Sequence, residues 1–379
     1  MNKFQVRTEV RFGEDALDSL SEFKYENAVI VTDPFMVKSG TADIIAKKLT
    51  SCKNISVFGD VKPNPPIELV AEGLKFLQSK NADIVVALGG GSSIDAAKAV
   101  LLIAKQNMKK NVFFVAVPTT SGTGSEVTKF SVITDEQEGV KYPLVDDGLL
   151  PDIAVLDPSL VVSAPPQITA DTGFDVITHA VEAYVSSAAN DLSDAMCEKA
   201  LNLSFEYLIR AYDDGSDLTA RDKMHSASCM AGIAFSEVSL GINHSIAHAL
   251  GAKFHIPHGR ANAMLLPLVI EYNADLPDGF SSEYTEAAKK YAQVAKNIGL
   301  PCPNTRVGVI NLIKKIKQML IRTKTPLTLK DAGVSKELYD EMKDMIVRNA
   351  LDDACTPTSP RRPSADDIRK IVEALAQYK

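Results

Sequence analysis

Two rhythms of apolar residues divide the chain. Up to about residue 165, short β-branched runs recur: "AVIVTD" (28–33), "NISVFG" (54–59), "DIVVALGGG" (83–91), "VFFVAVPTT" (112–120) and "IAVLDP" (153–158). Most of them are apolar without interruption, and amphipathic stretches such as "IELVAEGLKFLQSK" (67–80) lie between them. Such runs suit strands buried on both faces, so the pattern predicts a parallel sheet flanked by helices. Beyond "SAPPQ" (163–167) the apolar spacing becomes helical, as in "FDVITHAVEAYVSS" (174–187), "LSDAMCEKALNLSFEYLIRAY" (192–212) and "AAKKYAQVAKNIG" (287–299). Pro165 and Pro166 mark the change, because adjacent prolines continue neither a helix nor a central strand. The expected organisation is an α/β domain over residues 1–165 and an all-helical domain over 166–379.

Composition narrows the setting. With 379 residues, 45% of them apolar, the chain has material for two cores. Its net charge of -7 and lack of a basic patch argue against nucleic acid as a partner. Five scattered cysteines without a C-x-x-C pair argue against a disulfide framework or a zinc ribbon. The N-terminus "MNKFQVRTEVRFGEDAL" has no signal-peptide core, and no apolar run has membrane-spanning length, so the expected setting is cytoplasmic, with no membrane partner.

Two glycine-rich loops leave predicted strands. "GGGSSIDAAK" (89–98) opens a helix whose first N–H groups suit a phosphate, and glycine lets the backbone approach the anion. It fits neither G-x-G-x-x-G nor the Walker pattern, so a tight turn with Ser92 as cap stands beside the phosphate reading. "PTTSGTGSE" (118–126) offers the hydroxyls of Thr119, Thr120 and Thr123, with a Ser/Thr-rich turn as the plain alternative. Two such loops at the carboxyl edge of one parallel sheet are where a dinucleotide binds. Asp33, ending "IVTD", then suits an adenosine ribose, or equally caps a helix before Pro34.

Four of the six histidines crowd into "NHSIAHALGAKFHIPHG" (243–259). His244 and His248 share a helix face at i, i+4, and His255 and His258 return within reach. Asp175 and His179 in "GFDVITHAVEA" repeat that spacing. A carboxylate with three imidazoles makes a donor set for a divalent transition metal, whereas an isolated Asp-x-x-x-His is more often an ion pair or a buried hydrogen-bonded histidine.

"GGGSSIDAAK", "PTTSGTGSE", "FDVITHAVEA" and "GINHSIAHALGAKFHIPHGRANA", in this order and at these separations, resemble the iron-containing (group III) alcohol dehydrogenases from about residue 5 to about 375. The stretch from "GVKYP" to "AYVS" is most similar to the propanol dehydrogenases of propanediol-utilisation microcompartments. The resemblance implies a Rossmann-like domain followed by a helical metal-binding domain, the dehydroquinate synthase-like fold. It implies Asp175, His179, His244 and His258 as ligands of Fe2+, or of Zn2+ or another divalent ion, and His248 as proton relay. For NAD(H) it implies Asp33 at the ribose, Asn64 in the next loop, and Gly90, Gly91, Ser92 and Asp95 at the pyrophosphate. Thr119, Thr120 and Thr123 follow at the second phosphate and nicotinamide, and Lys141 near the ribose.

The implied reaction interconverts a short-chain primary alcohol and its aldehyde by hydride transfer, with the substrate oxygen on Fe2+ and propionaldehyde/1-propanol as the pair. A homodimer or larger homo-oligomer, and a microcompartment enzyme partner, are also implied. The competing readings are an enzyme of the same fold acting on a phosphorylated polyol, which would want extra Lys or Arg beside the metal, and a catalytically silent microcompartment-associated binding protein.

Overall fold

The uninterrupted apolar runs become strands. The computed structural model describes residues 4–107, 111–135, 140–279 and 283–378. In the first of its two units, Met1–Ser163, the strands are β1 (Glu9–Phe12), β2 (Asn27–Val31), β3 (Asn54–Phe58), β4 (Ile84–Gly89), β5 (Phe113–Pro118), β6 (Phe130–Asp135), β7 (Val140–Val145) and β8 (Ile153–Leu156). Six of them form a parallel sheet in the order β1-β8-β5-β4-β2-β3. Successive residues serve opposite faces. Val29, Val31, Val85 and Ala87 enter one apolar cluster, and Ala28, Ile30, Ile84 and Val86 the other. Helices α1 (Pro34–Lys38), α2 (Thr41–Lys48), α3 (Ile67–Ser79) and α4 (Gly91–Asn107) complete the unit.

The five strands expected from sequence are all present, with three more. β1 is a four-residue edge strand, half exposed, whose alternating E-V-R-F carries no buried run. The antiparallel β6–β7 pair lies outside the six-stranded sheet, and its Thr134 N–H donates at 2.9 Å to the carbonyl of Pro65 in the loop between β3 and α3.

Strand order fixes where a ligand can sit. β2 pairs with β3 on one side and β4 on the other, so the connections diverge between β2 and β4. That crevice, outside the carboxyl ends, is the binding position of open α/β sheets. The register brings Gly89 opposite Pro118, and Thr119 N–H donates to the Gly89 carbonyl at 3.0 Å, so the two glycine-rich loops emerge side by side.

The second unit, Ala164–Lys379, is helical among its described residues. Its helices are α5 (Pro166–Val185), α6 (Asp191–Asp213), α7 (Leu218–Val238), α8 (Ile242–Phe254), α9 (His258–Ala274), α10 (Glu286–Asn297), α11 (Thr305–Arg322), α12 (Lys336–Asp352) and α13 (Ala365–Ala376). Pro166 is the first residue of α5, where its missing N–H is no loss. Among the described residues, no helix is long and apolar enough to cross a membrane.

α5 and α9 approach so closely at one point that only glycine fits. A β-carbon on Gly259 would overlap the backbone carbonyl of Asp171 and stand 3.2 Å from the β-carbon of Asp175. Gly259→Ala is therefore expected to lower stability by about 1–3 kcal/mol. In calorimetry that is a drop of roughly 2–12 °C in the thermal midpoint for a domain of this size. An unchanged midpoint would show that α9 moves aside without cost.

Candidate functional site

α5 carries Asp171, Asp175, His179 and Glu182 at intervals of four, four and three residues, a polar stripe buried within an apolar helix. α8 presents His244 and His248 one turn apart. It runs through Gly251 and ends at His255, which takes a left-handed backbone (φ 55°) and lies exposed. The chain then restarts as α9 with Pro257 before it and His258 at its first position.

These elements bring four of the histidine-region and α5 residues together. One donor atom from each of Asp175, His179, His244 and His258 lies within 4.8 Å of the other three. Asp175 Oδ1 is 3.8 Å from His244 Nε2 and 3.6 Å from His258 Nε2. Donors about 2.1 Å from a tetrahedral ion stand roughly 3.4 Å apart, so this spacing fits a divalent metal with little adjustment. His255 stays outside the group.

The surroundings prepare the donors. Glu182 accepts from His244 Nδ1 at 2.5 Å and from the Asn243 backbone N–H at 2.7 Å. That bond fixes the ring's proton on Nδ1 and turns the Nε2 lone pair toward Asp175. Burial, and then the neighbouring imidazoles His179, His258 and His248, hold His244 well below the usual histidine range, so it stays neutral. Burial pushes the Glu182 carboxyl up to about 8 against the pull of the Asn243, His244 and Gly241 backbone N–H groups.

Asn262, fully buried, donates from Nδ2 to Asp175 Oδ1 at 2.7 Å. Its amide is oriented by Asn243 Nδ2, 2.9 Å from Asn262 Oδ1. Phe235 stacks on His179, with ring centroids 4.5 Å apart. Glu182, Asn243 and Asn262 escape a search for metal ligands. The signal for Glu182 was its place three residues beyond His179 on an apolar helix.

The nucleotide-loop residues fall into two groups. Asp33 caps α1, its Oδ1 accepting from Phe35 N–H at 2.9 Å and Met36 N–H at 3.1 Å, while its Oδ2 lies 3.5 Å from Ser93 Oγ across the β2–β4 crevice. It therefore has a capping oxygen and a crevice oxygen. Gly90, Gly91 and Ser92 form the turn into α4, packed against Thr120 and Thr123; a β-carbon on Gly91 would stand 2.8 Å from Thr123 Cγ2. Thr119 is buried under this contact.

Asp95 is directed elsewhere. Its carboxyl accepts from Ser125 Oγ at 2.6 Å and Val132 N–H at 3.1 Å, joining α4 to the second loop. The buried Lys98, one turn on, donates to the Thr128 and Phe130 carbonyls at 2.7 and 2.8 Å, and burial lowers it to about 8. Asn64 sits exposed in the loop after β3 with a left-handed backbone (φ 52°). Lys141 stands on β7, its side chain outside the described residues.

With this geometry in place, the comparisons are decisive. A family model described as "Iron-containing alcohol dehydrogenase" matches residues 7–158, and one for the C-terminal part of the same family matches 169–376. The chain belongs to the iron-containing alcohol dehydrogenases. It is 42% identical to the 1-propanol dehydrogenase PduQ of Salmonella typhimurium over 377 residues, 99% of this chain and 100% of that protein. Among solved structures, an alcohol dehydrogenase from Oenococcus oeni superposes with a TM-score of 0.91 at 32% identity, covering 99% of this chain and 100% of that one. A sulfoacetaldehyde reductase from Bifidobacterium kashiwanohense, in complex with NAD+, gives a TM-score of 0.88 at 28% identity and covers both chains fully, 100% of each. The protein is thus an oxidoreductase of the iron-containing alcohol dehydrogenase family.

The buried partners of the donor set are expected to govern metal retention. Glu182→Gln and Asn262→Ala should each weaken metal binding on the order of 10–100-fold, measured by competition against a chelator. Wild-type affinity in both variants would show that the four donors orient themselves.

Proposed function

We propose that this protein is an NAD(H)-linked, iron-dependent alcohol dehydrogenase that interconverts propionaldehyde and 1-propanol. The observation that carries the reading is the convergence of Asp175, His179, His244 and His258. The propanol assignment draws on the full-length likeness to 1-propanol dehydrogenase PduQ. A cytoplasmic homodimer or larger homo-oligomer working beside microcompartment enzymes is part of the same proposal.

Asp175, His179, His244 and His258 hold the divalent ion, Fe2+ in the first instance and Zn2+ as a substitute. When bound, the cation supplies Lewis acidity toward the carbonyl oxygen and the nicotinamide exchanges the hydride. The protein's own groups do the rest. The Phe235–His179 stack keeps water from one side of the donor set. His248, at 38% side-chain exposure, exchanges a proton with solvent as the substrate oxygen gains or loses one.

On the sheet, the first N–H groups of α4 at Gly91 and Ser92 take the pyrophosphate, with Gly90 allowing close approach. Thr119, Thr120 and Thr123 bound the same crevice, while Asn64 and Lys141 flank the cofactor. Asp95 serves indirectly, through its hold on Ser125 and Val132. The crevice oxygen of Asp33 accepts from the ribose hydroxyls and repels a 2'-phosphate.

A phosphorylated substrate is disfavoured by how one neighbouring cation is used. Arg260, two residues beyond His258, is held by Asp171 through bonds of 2.9 and 3.2 Å. The intact donor set likewise disfavours a silent binding protein.

Two measurements test the proposal. Anaerobic NADH oxidation with propionaldehyde should be absent in stripped protein, restored by Fe2+, and lost in His258→Ala; no turnover with any short aldehyde, despite one metal ion per chain, would sink the reading. For the cofactor, Asp33→Ser keeps a capping oxygen but removes the charge. It should raise the NADPH-to-NADH ratio of kcat/KM roughly tenfold or more, since about 1.4 kcal/mol of like-charge repulsion is a factor of ten. An unchanged ratio would place the selectivity elsewhere.

A further inference from the structure

The two histidines of α8 are held in the same way by different carboxylates. His244 Nδ1 meets Glu182 of α5 at 2.5 Å. His248 Nδ1 meets Asp353, the residue that follows α12, at 2.8 Å. For His244 the purpose is evident, because its Nε2 belongs to the donor group. His248 is not among those four donors, yet its ring lies parallel to that of His258, with centroids 5.3 Å apart and planes 16° apart.

Asp353 is itself built in. Its Oδ1 accepts from the Cys355 backbone N–H at 2.9 Å and from Ser245 Oγ at 3.2 Å. Ser245 Oγ in turn accepts from Thr356 Oγ1 at 2.8 Å. An ordinary surface ion pair has no such anchoring and contributes little. Here the carboxylate is fixed from one side so that its other oxygen can fix an imidazole. With the Nδ1 proton committed to Asp353, Nε2 is the nitrogen left for exchange.

We propose that Asp353 is a positioning residue for proton transfer, holding His248 with its proton on Nδ1 and its Nε2 presented to the substrate oxygen. The inference rests on the dehydrogenase reading above. In reduction, the hydride of NADH bonds to the carbonyl carbon, leaving NAD+, and the carbonyl π pair moves onto oxygen. That oxygen takes the proton from Nε2 of the His248 imidazolium. The neutral ring, still donating from Nδ1 to Asp353, regains a proton from solvent. The sum is aldehyde, NADH and one proton giving alcohol and NAD+. In alcohol oxidation every step reverses.

The test uses the full-length, metal-loaded protein and four variants: Asp353→Ala, Asp353→Asn, His248→Ala and the double Asp353→Ala/His248→Ala. The readouts are kcat, KM for NADH and for propionaldehyde, the solvent deuterium isotope effect, and metal content per chain. Asp353→Ala should lower kcat on the order of 10–100-fold. Metal content and the KM for NADH should stay as in wild type, and the solvent isotope effect should grow. Asp353→Asn, near in shape and still able to accept from Nδ1, should lose less. In the His248→Ala background, Asp353→Ala should have no further effect, because its partner is gone.

Loss of metal in Asp353→Ala, or a full multiplicative loss in the double variant, would make Asp353 a structural residue and overturn the inference. If Asp353→Ala fails to fold, the near-isosteric Asparagine variant decides: wild-type kcat and isotope effect would overturn the proposal, and a selective loss of kcat would support it. A wild-type chain that reduces no aldehyde overturns both the inference and the dehydrogenase reading. An active wild type with an unaffected Asp353→Ala overturns the inference alone.

Discussion

Three imidazoles and a carboxylate can share one small, largely buried space only if their lone pairs face a cation and their protons are led away from it. The helical unit is arranged around this constraint. Glu182 draws the His244 proton outward, Asn262 Nδ2 donates to Asp175 Oδ1 and lies 3.0 and 3.2 Å from Nε2 of His244 and His258, and Asn243 fixes which way that amide points. Gly259 lets α9 meet α5 closely enough for His258 to join the group. Each support lies on an element that already carries a donor, so the site and the packing of α5, α8 and α9 cannot be altered separately.

The α/β unit answers a different demand, since a dinucleotide needs backbone rather than side chains close to its phosphates. The turn into α4 lies against Thr120 and Thr123, and both loops leave neighbouring strands. What keeps them in place is buried charge. Asp95 and Lys98, one turn apart on α4, reach into the residues from Ser125 to Val132 and bind them by carboxylate and ammonium hydrogen bonds. The buried ammonium is tolerable because backbone carbonyls surround it.

Legibility in the sequence followed the range of each interaction. The strands β2, β4, β5 and β8 were readable because burial on both faces writes continuous apolar runs, whereas β3 is a mostly exposed edge strand whose β-branched residues alone marked it. β1 and the β6–β7 pair were not, being short or only half covered, with composition that suits a loop equally well. Asp175 with His179, and His244 with His248, were readable because the helical repeat puts each pair on one face. Asp353 lies 105 residues from His248 in an unremarkable acidic stretch, so only the folded chain joins them. In the sequence Asp33 suits a helix cap and a ribose partner equally; its two oxygens point to separate surroundings, so the alternatives do not exclude each other.

α8 also shows how one local chemistry acquires two uses. His244 and His248 are one turn apart, and each donates from Nδ1 to a carboxylate. Their exposure separates them: 1% of the His244 side chain is accessible, against 38% for His248. A buried imidazole among other imidazoles is confined to its neutral form, which suits a permanent lone-pair donor. An imidazole open to water can take up a proton and release it, provided something holds its orientation while the charge changes. Asp353 has the right character for that, because the His248 bond and charge, with the Cys355 N–H, outweigh burial and hold its carboxyl down at about 2. The ring therefore has one fixed carboxylate partner at Nδ1.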